Sequence, residues 1–118
     1  MYELSVLVVD DEVDFVDSLL KRLRRNGIEC EGAYSGDDAR SLMADRGFDV
    51  VLLDMRLADE DGSEVLKELK QLSPESRFLI LTGYASASAG RAVSENGAVD
   101  YLIKPVEFET LYERIVQV

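Results

Sequence analysis

The sequence predicts a doubly wound α/β domain built on a five-stranded parallel sheet. Short apolar runs typical of strands alternate along the chain with longer segments of helical periodicity. The connections are long enough to hold crossover helices and contain no hairpin signal, which favours parallel strand pairing. Right-handed crossovers and a weak second strand suited to a sheet edge favour the strand order 2-1-3-4-5.

The central strand is the clearest of the five. Val50–Leu53 is an unbroken aliphatic run, typical of a strand buried on both faces, and Asp54 follows it directly. The second strand is the weakest, because Glu29 and Glu31 interrupt it. The predicted strands are Leu4–Val9, Ile28–Ala33, Val50–Leu53, Arg77–Leu81 and Ala98–Ile103.

Apolar periodicity and end signals place the helices. Gly27 suits the left-handed position after the first helix, and Ser35 is a candidate N-cap of the second. The segment assigned to the fourth helix has three serines and Gly90, so only the need for a crossover predicts a helix there. The predicted helices are Val13–Asn26, Gly36–Asp45, Ser63–Leu72, Ser86–Asn96 and a last helix with Phe108, Leu111, Ile115 and Val118 on its apolar face.

Length and composition narrow the classes of function. At 118 residues the chain is predicted to be one domain, spanning residues 1–118. Its net charge of −11 argues against direct binding to nucleic acid or to an anionic membrane. The sequence shows neither a signal peptide pattern nor a membrane-spanning apolar run, and its single cysteine cannot form an internal disulfide, so we expect a cytoplasmic location. The chain has no histidine, which excludes histidine-based catalysis and metal ligation.

Carboxylates follow two strands that are neighbours in the predicted sheet. Asp10 and Asp11 come after the first strand and Asp54 comes after the third, at the switch point where open α/β sheets bind ligands. A cluster of oxygen ligands suits a hard cation, and a few protein ligands with room for water favour Mg²⁺ over Ca²⁺. With a cation in place, Asp54 could act as a carboxylate nucleophile towards phosphorus.

The fourth and fifth strands end in groups that suit an anion. The Thr82 hydroxyl can donate to a phosphoryl oxygen, and Lys104 is a compact cation at the next strand end. Simpler structural roles are open for each residue. Asp11 or Glu12 could cap the first helix, Thr82 could be a turn hydroxyl, and Lys104 could be solvated. Together, at the ends of four strands, these residues indicate one site.

Four motifs resemble the receiver domain of response regulators from bacterial two-component systems, namely VLVVDDE, VVLLDMRLADEDG, FLILTGYAS and GAVDYLIKP. The likeness covers essentially the whole chain and implies a flavodoxin-like (βα)5 fold that acts as a phosphorylation-controlled switch. Asp54 would be the phosphoacceptor, and Lys104 would bind the phosphoryl group. Mg²⁺ would be held by Asp10, Asp11, Asp54 and the backbone carbonyl of Arg56.

The resemblance also implies how the switch responds. Thr82 would bind the phosphoryl group, and Tyr101 would change rotamer as Thr82 moves, altering the face of the fourth helix, fifth strand and last helix. Arg56 and Tyr84 flank the site at positions that tune the lifetime of the phosphoryl group in this family. The Lys104-Pro105 peptide bond would be cis. Ala58 departs from the family, which often has proline there, and should loosen the loop after Asp54.

The partners implied are a sensor histidine kinase or a histidine phosphotransfer protein. The chain would catalyse only its own phosphorylation and dephosphorylation. The sequence is compatible with a stand-alone regulator or with the N-terminal part of a longer one. Its abrupt end at the last helix favours the latter, with a covalent effector domain beyond residue 118, and a homodimer through the switch face is open.

The sequence leaves two alternatives open. One is a receiver-like interaction module that works without phosphorylation. The other is a Mg²⁺-dependent phosphatase, which would need a carboxylate where Arg56 stands and a cap domain for which the chain is too short.

Overall fold

The structure is a computed structural model that describes residues 4–57, 60–83 and 87–117. Five parallel strands form one sheet, and the labels β1 to β5 are kept for these strands alone. Their order is β2-β1-β3-β4-β5, which confirms the predicted fold class and strand order. The strands are β1 Ser5–Val9, β2 Glu29–Ala33, β3 Val50–Asp54, β4 Arg77–Thr82 and β5 Asp100–Ile103.

A helix follows each strand, as predicted. Gly27 lies after the first helix with φ +79° and Gly97 after the fourth with φ +85°, conformations that glycine adopts without steric cost. The Ser35 side chain accepts the Asp38 N–H (3.1 Å), which confirms its capping role. The helices are α1 Val13–Arg25, α2 Gly36–Asp45, α3 Gly62–Leu72, α4 Ala87–Ser94 and α5 Phe108–Gln117. Within the described ranges, no helix has the length and apolar character required to cross a membrane.

The predicted boundaries lie within two residues of the observed ones, and the start of β5, at Asp100 rather than Ala98, is among the largest differences. The Ala98 N–H donates to the carbonyl oxygen of Ala92 (2.9 Å), so Ala98 closes the end of α4 instead of extending the strand. Ser86 and Val118, which were assigned to helices, lie outside the described residues.

Apolar side chains on the two faces of the sheet form separate core clusters. Helices α2, α3 and α4 cover one face, and α1 and α5 cover the other. Along β3, Val51 and Leu53 belong to the first cluster while Val50 and Leu52 belong to the second. All five residues of β3 are buried, so the strand that ends in Asp54 is held from both sides.

A short antiparallel pair follows β3, which differs from the prediction that the chain has no hairpin. Arg56–Leu57 pairs with Glu60–Asp61, and Gly62 closes the loop by donating its N–H to the Met55 carbonyl oxygen (3.1 Å). Strands of two residues are too short to show an alternation of apolar and polar residues, so this hairpin cannot be recognised from the sequence pattern.

Candidate functional site

Two buried carboxylates lie side by side at the carboxyl edge of the sheet. Strands β1 and β3 pair in register with Val9 opposite Leu53, so the residues that follow, Asp10 and Asp54, emerge next to each other. Asp10 is fully buried and Asp54 is 5% exposed. Sequence reasoning correctly placed both aspartates in one crevice, because a parallel register brings successive strand ends to one edge.

Glu12 completes a group of three carboxylates. One oxygen from each of Asp10, Glu12 and Asp54 lies within 4.8 Å of the other two, which is close enough to share one metal ion. Asp10 Oδ1 accepts the backbone N–H of Glu12 (3.0 Å), and Glu12 Oε1 lies 3.2 Å from the Lys104 ammonium. From the sequence, Glu12 is a candidate cap of the first helix. Glu12 does occupy the N-cap position of α1, but its side chain makes no capping hydrogen bond.

Asp11 and Arg56 occupy less central places than Asp10 and Asp54. Asp11 is partly exposed and is not a member of the three-carboxylate group. The Arg56 backbone N–H donates to Asp54 Oδ1 (3.0 Å), so the loop after β3 directly orients the Asp54 carboxylate. The Arg56 side chain is exposed. Tyr84, predicted to tune the phosphoryl lifetime, lies outside the described residues.

The Lys104 ammonium lies among the carboxylates. Its Nζ is 2.5 Å from Asp10 Oδ2, 3.2 Å from Glu12 Oε1 and 3.4 Å from Asp54 Oδ2. The Phe15 ring lies beneath it, with its centroid 4.5 Å from Nζ. The peptide bond to Pro105 is cis, as the resemblance implied.

Burial and charge shift two pKa values in the site. Burial raises the pKa of the Asp54 carboxyl and the charge of Asp10 adds to this, although the Arg56 N–H and Lys104 oppose it. Burial by itself would lower the pKa of Lys104, but its hydrogen bond to Asp10 and the charges of Asp54 and Asp10 outweigh burial and raise it. Lys104 therefore stays charged at neutral pH.

Thr82 and Tyr101 lie on the two strands beyond β3. Thr82 ends β4 and is buried, and its carbonyl oxygen accepts the Lys104 backbone N–H (2.7 Å). Tyr101 pairs with Ile80 across the strands and is partly buried against the core cluster beneath α4. Thr82 thus lies at the carboxyl end of β4, opposite Ile103, whereas Tyr101 lies two residues earlier on β5, against the core cluster that α4 covers.

The family is decided by a match over nearly the whole chain. A family profile described as the response regulator receiver domain matches residues 6–116. The chain belongs to the response regulator receiver domain family. This assignment confirms the resemblance found in the sequence and does not favour an interaction module that lacks the phosphorylation cycle.

Relatives of this receiver domain include bacterial regulators. It is 41% identical over 113 residues to the transcriptional regulatory protein ZraR of Salmonella typhimurium, covering 96% of this chain and 26% of that protein. It is 33% identical over 103 residues to the photosynthetic apparatus regulatory protein RegA of Rhodobacter capsulatus, covering 87% of this chain and 56% of that protein. The chain therefore spans only part of the length of these relatives.

Solved receiver structures have the same fold. A CheY-like receiver domain protein from Methanospirillum hungatei JF-1 matches with a TM-score of 0.93 at 30% identity, covering 98% of this chain and 93% of that one. A response regulator from Burkholderia pseudomallei, solved with a phosphorylated aspartic acid, a calcium ion and citrate, matches with a TM-score of 0.89 at 34% identity. That match covers 96% of this chain and 66% of that one.

Proposed function

We propose that this receiver domain accepts a phosphoryl group on Asp54 from the phosphohistidine of a sensor histidine kinase or a histidine phosphotransfer protein. The observation that supports this role is the placement of Asp54 beside Asp10, Glu12 and the Lys104 ammonium at the carboxyl edge of the sheet. Burial alone would favour the protonated carboxyl, which cannot attack phosphorus, whereas the Arg56 N–H and the Lys104 ammonium favour the ionised form of Asp54.

The transfer exchanges one bond to phosphorus for another. A carboxylate oxygen of Asp54 forms the new O–P bond while the N–P bond to the donor imidazole breaks, and the imidazole keeps the electron pair. Water later cleaves the acyl phosphate and releases inorganic phosphate, which restores the carboxylate. The domain thus catalyses only its own phosphorylation and dephosphorylation.

Lys104 and Thr82 bind the incoming phosphoryl group. The Lys104 ammonium lies 3.4 Å from Asp54 Oδ2, so a phosphoryl oxygen attached to Asp54 falls within its reach. The Asp10, Asp54 and Lys104 side chains are largely buried, which strengthens the charge interactions among them relative to bulk solvent. The Thr82 hydroxyl follows the phosphoryl group, and Tyr101 follows Thr82, which alters the surface formed by α4, β5 and α5.

The acidic group suits one divalent cation, for which we propose Mg²⁺. Its donors are hard oxygens, and three ionised carboxylates beside one ammonium leave two negative charges to neutralise. Asp10, Asp54 and the Arg56 carbonyl would hold the ion together with Asp11, and Glu12 is a further candidate. When bound, Mg²⁺ neutralises negative charge on the phosphoryl oxygens.

The wider context of the domain is also a proposal. By analogy with ZraR, whose chain is longer, we place residues 1–118 as the receiver unit of a cytoplasmic regulator with an effector domain beyond residue 118. Dimerisation through the α4–β5–α5 surface would then couple phosphorylation to output. Arg56 and Tyr84 would set how long the phosphoryl group lasts.

Intact mass spectrometry after incubation with Mg²⁺ and acetyl phosphate tests the central proposal. We expect a gain of one phosphoryl group that is lost when Mg²⁺ is omitted and in the Asp54→Asn variant. Absence of any adduct, together with failure to bind a beryllium fluoride mimic, would reject the phosphoacceptor role and favour the phosphorylation-independent module.

A further inference from the structure

An arginine outside the site joins three elements around the loop that follows Asp54. Arg40 lies on α2, and its guanidinium contacts Glu60 in the hairpin (2.5 Å), Glu68 on α3 (2.9 Å) and Asp37 on its own helix (2.8 Å). Its side chain is 27% exposed, so the ion pairs are partly shielded from water. Hydrogen bonds to Glu68 and Glu60 raise the pKa of Arg40 above its already high usual value.

Glu60 fits into a space that only glycine leaves open. A Cβ atom built on Gly36, the first residue of α2, would lie 2.6 Å from Glu60 Oε1. The Glu60 carboxylate therefore packs against the backbone at the start of α2 while Arg40, one turn later, binds its oxygens. The hairpin is thus attached to α2 by both shape and charge.

The hairpin in turn fixes the backbone beside Asp54. Glu60 pairs with Leu57, which follows Arg56, and the Arg56 N–H donates to Asp54 Oδ1. At the base of the loop a Cβ on Gly62 would lie 2.5 Å from the Met55 Cα and carbonyl oxygen, so the two ends of the loop are in tight contact. A displacement of Glu60 would therefore move its strand partner Leu57, and Leu57 is joined directly to Arg56 by a peptide bond.

We infer that Arg40 is a positioning residue for the phosphorylation site, acting through Glu60 to hold the Arg56 backbone where it orients Asp54 and faces the cation. This inference rests on the proposed function, in which the Arg56 carbonyl is a ligand. Removing the Arg40–Glu60 pair leaves every proposed ligand in the chain but loosens the loop that carries one of them.

The expected effect is moderate. Removing a group that directly orients a metal ligand lowers metal affinity about 10–100-fold. A partly exposed ion pair holds its partners less strongly than a buried one, so its removal should have a smaller effect. We therefore expect Arg40→Gln and Glu60→Gln each to weaken Mg²⁺ binding by about three- to tenfold. The double variant should be no weaker than either single variant, because both remove the same interaction.

Two variants serve as matched controls. Glu68→Gln removes another partner of Arg40 but leaves the hairpin pair, so it should leave Mg²⁺ affinity near the wild-type value. Arg46→Gln removes an arginine that ends α2 and pairs with Glu29 and Glu31, far from the loop. Arg40→Lys keeps the charge and should recover part of the affinity.

Calorimetric Mg²⁺ titration and amide hydrogen exchange provide the test. In metal-free protein, the Arg56 and Gly62 amides should exchange faster in Arg40→Gln and Glu60→Gln than in Glu68→Gln. Equal Mg²⁺ affinity and equal exchange in all of these variants would overturn the inference. If Arg40→Gln does not fold, Glu60→Gln and Arg40→Lys decide the outcome. A wild-type domain that gains no phosphoryl group would instead refute the proposed function, so the two failures are distinguishable.

Discussion

Replacing Lys104 with methionine tests whether its ammonium compensates the acidic group. The substitution removes a charge whose Nζ lies within 3.4 Å of an oxygen of each of three carboxylates, and the Asp10 and Asp54 side chains are only 1% and 7% exposed. Methionine is similar in length and apolar, so packing on Phe15 is largely kept while the charge is lost. The variant therefore isolates the electrostatic contribution of Lys104.

The size of the effect follows from the burial of the partners. Removing one member of a buried ion pair costs about 3–5 kcal/mol, because the remaining charge is left uncompensated. The site lies at the edge of the sheet, where carboxylates can take up protons or water, and the Lys104 side chain is 15% exposed. We therefore expect a loss of about 2–3 kcal/mol in metal-free protein, or about 8–12 °C in melting temperature.

Thermal melts in EDTA and in saturating Mg²⁺ measure this effect. The difference between wild type and Lys104→Met should shrink in Mg²⁺, because a divalent cation supplies the missing positive charge. Lys70→Met is the matched control, since Lys70 is also partly buried and lies over the ring of Phe78, but its ammonium donates to the backbone carbonyl of Ser76. Equal losses for the two variants in EDTA, or a difference that Mg²⁺ does not change, would refute the reasoning.

Three other predictions follow from the site. The pKa of Asp54 is raised in the folded protein, so its negative charge destabilises the fold at pH values above that pKa. Asp54→Asn should therefore stabilise the metal-free protein against urea at pH 8. This gain in stability should disappear as the pH falls towards the ordinary carboxyl range. Gly62→Ala should lower the free energy of unfolding by about 2–3 kcal/mol, because its Cβ would clash with the Met55 backbone. Gly47→Ala, whose Cβ would meet no described atom within 4 Å, should leave the free energy of unfolding nearly unchanged in the same melts. Asp11→Asn and Glu12→Gln should each weaken Mg²⁺ binding by calorimetry; an unchanged affinity in either would remove that residue from the ligand set.

The fold could be predicted from the sequence because its signals are local. A buried aliphatic run such as β3 cannot face water, and parallel pairing then determines which edge receives the residues after it. For this reason the sequence alone predicts that Asp10 and Asp54 converge. Short-range signals such as the Ser35 cap were equally readable.

What the sequence did not reveal depends on contacts between distant residues. Glu12 lies with Asp10 and Asp54 in the acidic group, and a glutamate at a helix start gives no sign of this in the sequence. The Arg40–Glu60 pair joins residues 20 positions apart on different elements, where charge spacing along the chain carries no information. The functional roles assigned to the site residues all stay predictions, namely those of Asp10, Asp11, Asp54, Arg56, Thr82, Tyr84, Tyr101 and Lys104.

The position of Lys104 has a consequence for how the site selects its occupants. The Lys104 ammonium is held at the same edge of the sheet as the carboxylates, so it competes with a free metal ion for them at a high effective concentration. Once Asp54 bears a phosphoryl group, the negative charge of the phosphoryl oxygens gives the Lys104 ammonium and Mg²⁺ an anionic partner each. The two cations then no longer compete for the same carboxylates. By linkage, whatever strengthens Mg²⁺ binding in the phosphorylated form must to the same degree favour phosphorylation when Mg²⁺ is present. The resting domain should therefore bind Mg²⁺ weakly, and its Mg²⁺ affinity should rise on modification.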